Sequence, residues 1–178
     1  MSWRLDPSDL GLVVVDVQER LVPVLHEPAR LVKKTASLVA LARLFALPLL
    51  VSEHVPEKLG PTVPDLGLLP DDRRVLKRTF SAAAALEALG DALPKTLLVC
   101  GCETHICVRQ TVYDLREGGR TVVLVGDACS SRAPLDHALA LDEMRTDKTL
   151  ITSVEALGWE LTGSVDSPRF KAVLALLK

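Results

Sequence analysis

Short apolar runs alternate with helix-patterned stretches six times along 178 residues, which predicts an α/β fold. The expected architecture is a three-layer sandwich around a six-stranded parallel sheet of order 3-2-1-4-5-6. Two observations support it. The runs are continuous rather than alternating, as in strands covered on both faces. Each is followed by apolar residues at helical spacing.

The first run, Gly11-Leu-Val-Val-Val-Asp16, reads as a buried strand. A long amphipathic helix follows over 28–47, with Leu31, Val32, Leu38, Val39, Leu41 and Ala42 on one face. Pro48-Leu-Leu-Val-Ser52 is the second strand. The stretch 53–73 holds four prolines and two glycines and is expected to be a long loop, a length that usually has a function. Val75-Leu76-Lys77 is a short third strand, and 82–93 a helix. Thr96 to Cys102 forms the fourth strand, and a helix is expected to begin at Cys107. Gly118-Gly119 ends that helix. The fifth strand covers 121–125, a helix 134–145, the sixth strand 149–152, and terminal helices 154–161 and 168–177. With no repeat, low-complexity tract or linker, 1–178 reads as a single domain.

Apolar residues make up 48% of the chain and charged residues 25%, which suits a globular protein. The net charge of −2, the absence of a basic run, and only two Trp, one Tyr and three Phe argue against nucleic-acid binding. No segment approaches the ~20 apolar residues of a membrane helix; the longest candidate, 38–51, is interrupted by Arg43 and Pro48. No membrane partner is expected. The opening Met-Ser-Trp-Arg-Leu-Asp-Pro lacks the basic and apolar regions of a signal peptide. Cys100, Cys102, Cys107 and Cys129 cluster in a way unlike a disulfide framework. The chain is therefore expected to be cytoplasmic, with reduced thiols.

Three residues at strand ends carry the chemistry. Asp16 closes the first strand, Lys77 the third, and Cys107 follows the fourth on the expected first turn of a helix, a position that favours thiolate. In open parallel sheets, ligands bind beyond the carboxyl ends of the strands where the order reverses, here between strands one and four. An acid, an ammonium and a thiol converging there are parts for nucleophilic catalysis. Each has a plainer reading. A free cysteine is usually a small buried hydrophobe. Asp16 could cap a turn, although an aspartate closing four apolar residues needs a partner. Lys77, beside Arg73, Arg74 and Arg78, could belong to a solvated edge.

These segments, Val-Val-Asp16-Val-Gln, Leu-Lys77-Arg-Thr-Phe-Ser and Gly-Cys102-Glu-Thr-His-Ile-Cys107-Val-Arg-Gln-Thr, resemble the isochorismatase-like cysteine hydrolases. The resemblance covers about 11–152, includes Gly126-Asp-Ala-Cys-Ser-Ser-Arg132, and is closest to the isochorismatase-domain-containing branch at 52–63. It implies a cofactor-free hydrolase in which Asp16 takes the thiol proton, Cys107 attacks a small amide-type (C–N) substrate through a thioester, and Lys77 supports both ions. It also implies an oxyanion site of backbone N–H groups near the cysteine, helped by a cis Cys102–Glu103 bond. Two alternatives stand beside it. One is vinyl-ether hydrolysis of an isochorismate-like acid with Asp16 as general acid. The other is a non-catalytic oligomeric or redox-sensing protein on the same fold. A small-molecule substrate and a homo-oligomer are expected, the latter from the apolar helix at 168–178.

Gln18, Phe80, His54 and His105 are candidates to line the pocket, the plainer reading of Phe80 being ordinary core. His105 is too close in sequence to Cys107 to serve as its base. No metal is expected: the cysteine and histidine spacing fits no structural zinc pattern. Ser52-Glu53-His54 also departs from the Asp-x-His metal pattern of the related nicotinamidases. His26 and His137 are expected at the surface. Asp127, Ser130, Ser131 and Arg132 read as a polar turn capping the next helix, with Arg132 a candidate for pairing across a subunit interface.

Overall fold

The computed structural model describes residues 4–178; the opening Met-Ser-Trp lies outside them. Its sheet is parallel with six strands, β1 (Leu10–Val15), β2 (Leu49–His54), β3 (Arg73–Lys77), β4 (Thr96–Cys102), β5 (Thr121–Ser130) and β6 (Leu150–Thr152). The order is β3-β2-β1-β4-β5-β6, as expected. Every residue of β1 is buried, which explains its unbroken apolar run.

Helices cover both faces. Helix α1 (Pro28–Leu44) buries Leu31, Leu38, Val39, Leu41 and Ala42, and starts with proline at its first position, where the missing N–H costs nothing. The loop after β2 is shaped by a single-turn helix, α2 (Pro56–Leu59). Helix α3 (Ala83–Glu87) is shorter than expected, because Gly90 takes φ +59° and the chain continues as a 3₁₀ turn. Helix α4 (Arg109–Glu117) is preceded by a wide π-type turn, and α5 (Pro134–Thr146) runs beside it, joined by the Arg109–Glu143 pair. At the end of the chain, α6 (Val154–Thr162) and α7 (Phe170–Leu177) pack on α1. No helix of the described residues is long and apolar enough to cross a membrane.

One element departs from expectation. Strand β5 continues through Ser130 instead of ending at 125, and its register against β4 shifts between Val99 and Gly101. Of the stretch expected to be a polar turn, Asp127 and Ser130 are therefore strand, and only Ser131 and Arg132 lie in the bend before α5. Its polar groups find partners beside the sheet. Asp127 accepts from the Val154 N–H at 2.8 Å and pairs with Lys34 at 3.0 Å, while Ser130 donates to the His26 carbonyl at 2.5 Å. None of the four caps α5, which starts without a side-chain cap.

The register aims the crevice. Val15 lies level with Ser52 on one side and Gly101 on the other. Gly101 holds φ +127°, and a Cβ there would fall 2.1 Å from the Val15 carbonyl oxygen, so only glycine fits. Strands β1 and β4 therefore meet closely and then part, with Asp16 just beyond the parting.

Candidate active site

Asp16 follows β1 with φ +54°, a left-handed conformation that costs about 1–3 kcal/mol in a non-glycine residue. That geometry turns its carboxylate inward, where it is fully buried. Ser52 Oγ donates to Oδ1 at 2.7 Å, and Lys77 Nζ lies 2.6 Å from Oδ2. The Lys77 ammonium also donates to the carbonyls of Phe80 at 2.7 Å and Thr79 at 3.2 Å. Its side chain is 1% exposed, so Lys77 is part of the interior and not of a solvated edge.

Cys107 completes the group from the turn Thr104–Val108, which closes with Val108 donating to the Glu103 carbonyl five residues back. Such π-type turns recur at functional sites. The Asp16 carboxylate and the Cys107 thiol line one pocket, where the Asp16 charge raises the thiol pKa and the Glu103 backbone N–H lowers it. Thr111 anchors the turn by donating to the Cys107 carbonyl at 2.6 Å and accepting from the Ala82 N–H at 2.9 Å. His137, expected at the surface, is half-buried, with its Nδ1 2.8 Å from Thr104 Oγ1.

The electrostatics differ from the expectation of a thiolate. Burial pushes the Cys107 thiol up to about 12, the neighbouring Asp16 charge adds to the rise, and Lys77 opposes it. Helix α4 starts at Arg109, beyond the turn that carries Cys107. Burial likewise raises the Asp16 carboxyl above its ordinary value, against the pull of Lys77, Ser52 and Cys107. The resting thiol is therefore neutral.

A pocket of about 340 Å³ opens over Asp16 and Cys107, walled by Leu21, Val24, Leu59 and Ile106. His54 and Phe80 line it as expected, their ring centroids 5.7 Å apart. Phe80 is 52% exposed and so is not core. Burial lowers the His54 pKa, with Lys77 adding to the effect, which keeps the ring neutral at pH 7.

Several expected site residues take other places. Gln18 is fully buried and its amide is spent on backbone: it donates to the His54 and Gly60 carbonyls at 3.1 and 2.7 Å and accepts from the His54 N–H at 2.8 Å. It clamps the loop after β2 to the segment after β1. His105 turns away from the pocket, its Nδ1 3.0 Å from Ser131 Oγ. The Cys102–Glu103 bond is trans, and there is no cis bond among the described residues. The left-handed Gly101 and the wide turn at 104–108 redirect the chain with ordinary trans geometry. The Glu103 carboxylate pairs with Arg132 Nε at 2.6 Å, so Arg132 has its partner within the chain. No cluster of three or more potential metal ligands occurs among the described residues.

Ser52 and Thr111 escaped sequence reasoning. The available signal was a hydroxyl inside an otherwise apolar central strand, since a buried hydroxyl needs a partner. Thr111 carried no comparable signal.

Comparison with known proteins places this geometry in context. The isochorismatase domain model matches residues 11–156. The rat isochorismatase domain-containing protein 2 is 36% identical over 98% of this chain and 84% of its own length. The solved structure described as MAR1 ribonuclease from Caenorhabditis elegans superposes with a TM-score of 0.91 at 33% identity, covering 98% of this chain and 92% of that one. The YcaC gene product of Escherichia coli, described as an octameric hydrolase of unknown specificity, superposes with a TM-score of 0.87 at 26% identity, covering 99% and 90%.

Proposed function

The chain belongs to the isochorismatase family, and from that premise we propose that it is a hydrolase that cleaves a small amide-type substrate by covalent catalysis at Cys107. The observation that carries this reading is the carboxylate of Asp16, held by Ser52 and Lys77 and sharing one pocket with the Cys107 thiol. A nucleophile whose base is itself oriented by further groups is the arrangement such chemistry needs.

As the sulfur attacks the carbonyl carbon, its proton passes to Asp16 and the carbonyl electrons move onto oxygen. The Glu103 N–H, which lowers the thiol pKa, is a donor available to that oxyanion. Collapse breaks the C–N bond, and the proton on Asp16 goes to the departing nitrogen. The thioester then takes up water, whose proton returns through Asp16, releasing the acid and restoring the thiol. Lys77 keeps Asp16 ionised between proton transfers.

The raised Asp16 carboxyl also favours a second reading, in which a protonated Asp16 delivers its proton to a vinyl ether and the thiol is dispensable. Cleavage of RNA, suggested by the description of the nematode relative, suits the site less well: the pocket is small and its exposed aromatic surface is Phe80. The reading extends to the molecule as a whole. The chain acts as a single unit over 1–178 and as a homo-oligomer. The octameric YcaC relative supports that assembly, as do the exposed Val24, Phe80, Leu135 and Leu139. Its four unpaired thiols suit a reducing cytoplasm.

Intact-mass analysis across a library of small amides and nitriles tests the proposal. An acyl or thioimidate adduct on the wild-type protein, mapped to Cys107 and missing from Cys107→Ala, supports covalent catalysis. Turnover that survives Cys107→Ala favours the vinyl-ether reading, and cleavage of RNA alone would overturn both.

A further inference from the structure

We propose that the substrate carries a carboxylate beside a compact apolar body, and that Arg20 holds the carboxylate. The bond that is cleaved rests on the hydrolase reading; the preference for an anion does not.

The charges around the pocket decide this. Asp16 and Lys77 cancel, and Glu103 and Arg132 cancel, each pair within 2.6 Å. Arg20 also lines the pocket, and no carboxylate of the described residues lies within 4.0 Å of its guanidinium. It is the uncompensated charge of the wall.

Arg20 is also held in place. Its backbone N–H donates to the Leu59 carbonyl at 3.0 Å, and one Nη donates to the Lys58 carbonyl at 2.8 Å. These bonds strap it to the end of α2. A neutral carbonyl satisfies one N–H of the planar fork and leaves the others for a ligand. A guanidinium so presented suits the two oxygens of a carboxylate. Arg20 is exposed at the pocket mouth, and the neighbouring walls, Leu21, Val24, Leu59 and Ile106, are apolar. They favour a ligand whose remainder is apolar. A volume of about 340 Å³ lies near the lower end of small-molecule sites. A cationic ligand would meet Arg20 without a balancing acid.

Alkylation of Cys107 reads this charge preference without any turnover. Iodoacetate and iodoacetamide transfer nearly isosteric groups to the same sulfur with loss of iodide, and one carries a carboxylate where the other is neutral. Rates are followed by intact mass and mapped to Cys107. In Arg20→Gln we expect the iodoacetate rate to fall about tenfold while the iodoacetamide rate stays within about twofold, a change matching one charged hydrogen bond. Arg20→Lys, which keeps the charge but not the fork, should fall between. Short carboxylates such as isobutyrate should slow iodoacetamide on the wild type and not on Arg20→Gln; protection by inorganic phosphate in place of isobutyrate counts against a carboxylate. Equal changes in both alkylation rates, or no change in either, overturn the assignment. Because this measurement needs no substrate, a failure of the amide library leaves it standing, and its own failure leaves covalent catalysis untouched.

Discussion

Cys107 and Cys129 have thiols of nearly the same acidity, both pushed up to about 12, for different reasons. Cys129 sits in strand β5, fully buried, where burial dominates and its sulfur donates weakly to the Val125 carbonyl at 3.4 Å. Cys107 sits at the pocket, where burial is joined by the charge of Asp16. Acidity therefore does not mark the nucleophile. On the proposed mechanism a carboxylate in the same pocket and an open face mark it, and of this pair only Cys107 has both. In the proposed mechanism, the same charge that makes the thiol harder to ionise at rest accepts its proton.

The widest separation of the two comes from alanine. Cys107→Ala should lower amide turnover by ~10⁴-fold or more, as when a nucleophile is removed from a coupled set. Its thermal stability should change little. Cys129→Ala should do the reverse, costing about 1–2 kcal/mol in denaturant unfolding with turnover nearly intact. Equal losses of turnover in both would mean that the pocket thiol acts only through packing.

Asp16→Asn and Lys77→Met come next. Asp16→Asn removes the base and should lower turnover by ~10²–10⁴-fold. Lys77→Met leaves the Asp16 charge buried without its ammonium, so it should unfold about 3–5 kcal/mol more easily and also lose activity. The double variant should recover part of the stability and none of the activity. Recovery of both would show that the pair is structural.

Much of this was legible in the sequence, for identifiable reasons. The parallel sheet and the placement of Asp16 follow from an unbroken apolar run that ends in a polar residue, while the strand order and the roles of Lys77 and Cys107 leaned on the family resemblance. The turn that presents Cys107 was not legible: a bond from Val108 back to Glu103 leaves no apolar period, so the segment reads as the start of a helix. The extension of β5 was hidden because Asp127 and Ser130 look like turn residues until Lys34, Val154 and His26 supply partners from distant elements. Gln18 beside Asp16 suggested a pocket residue, but its amide meets the backbone of a loop more than thirty residues away in the chain. The last two misses share a cause: hydrogen bonds between distant segments.

The pH dependence sharpens the contrast between thiol and base. For covalent catalysis Asp16 must be ionised, and burial raises its pKa, so kcat/KM should fall as pH drops through a value above the ordinary carboxylate pKa of about 3.9. With Cys107 at about 12, no thiol limb should appear below pH 9. A protonated Asp16 acting as general acid gives the opposite slope, with activity lost as pH rises through the same value. Initial rates from pH 4 to 9 separate the two.

The smallest effect concerns Ser52. It donates a 2.7 Å hydrogen bond to Asp16. A second carboxylate at that point would repel Asp16, whereas a hydroxyl stabilises its charge. Removing the hydroxyl should therefore favour the protonated form. Ser52→Ala should move the acid limb of kcat/KM upward by roughly half to one pH unit, the size of one hydrogen bond of about 1 kcal/mol. The rate on the plateau should stay within about threefold. Ser52→Thr, which keeps the donor, should leave the limb in place. A purely structural role lowers the unfolding midpoint without moving the limb, so the shift assigns Ser52 to positioning and tuning the base beside Cys107, a partner that Cys129 lacks.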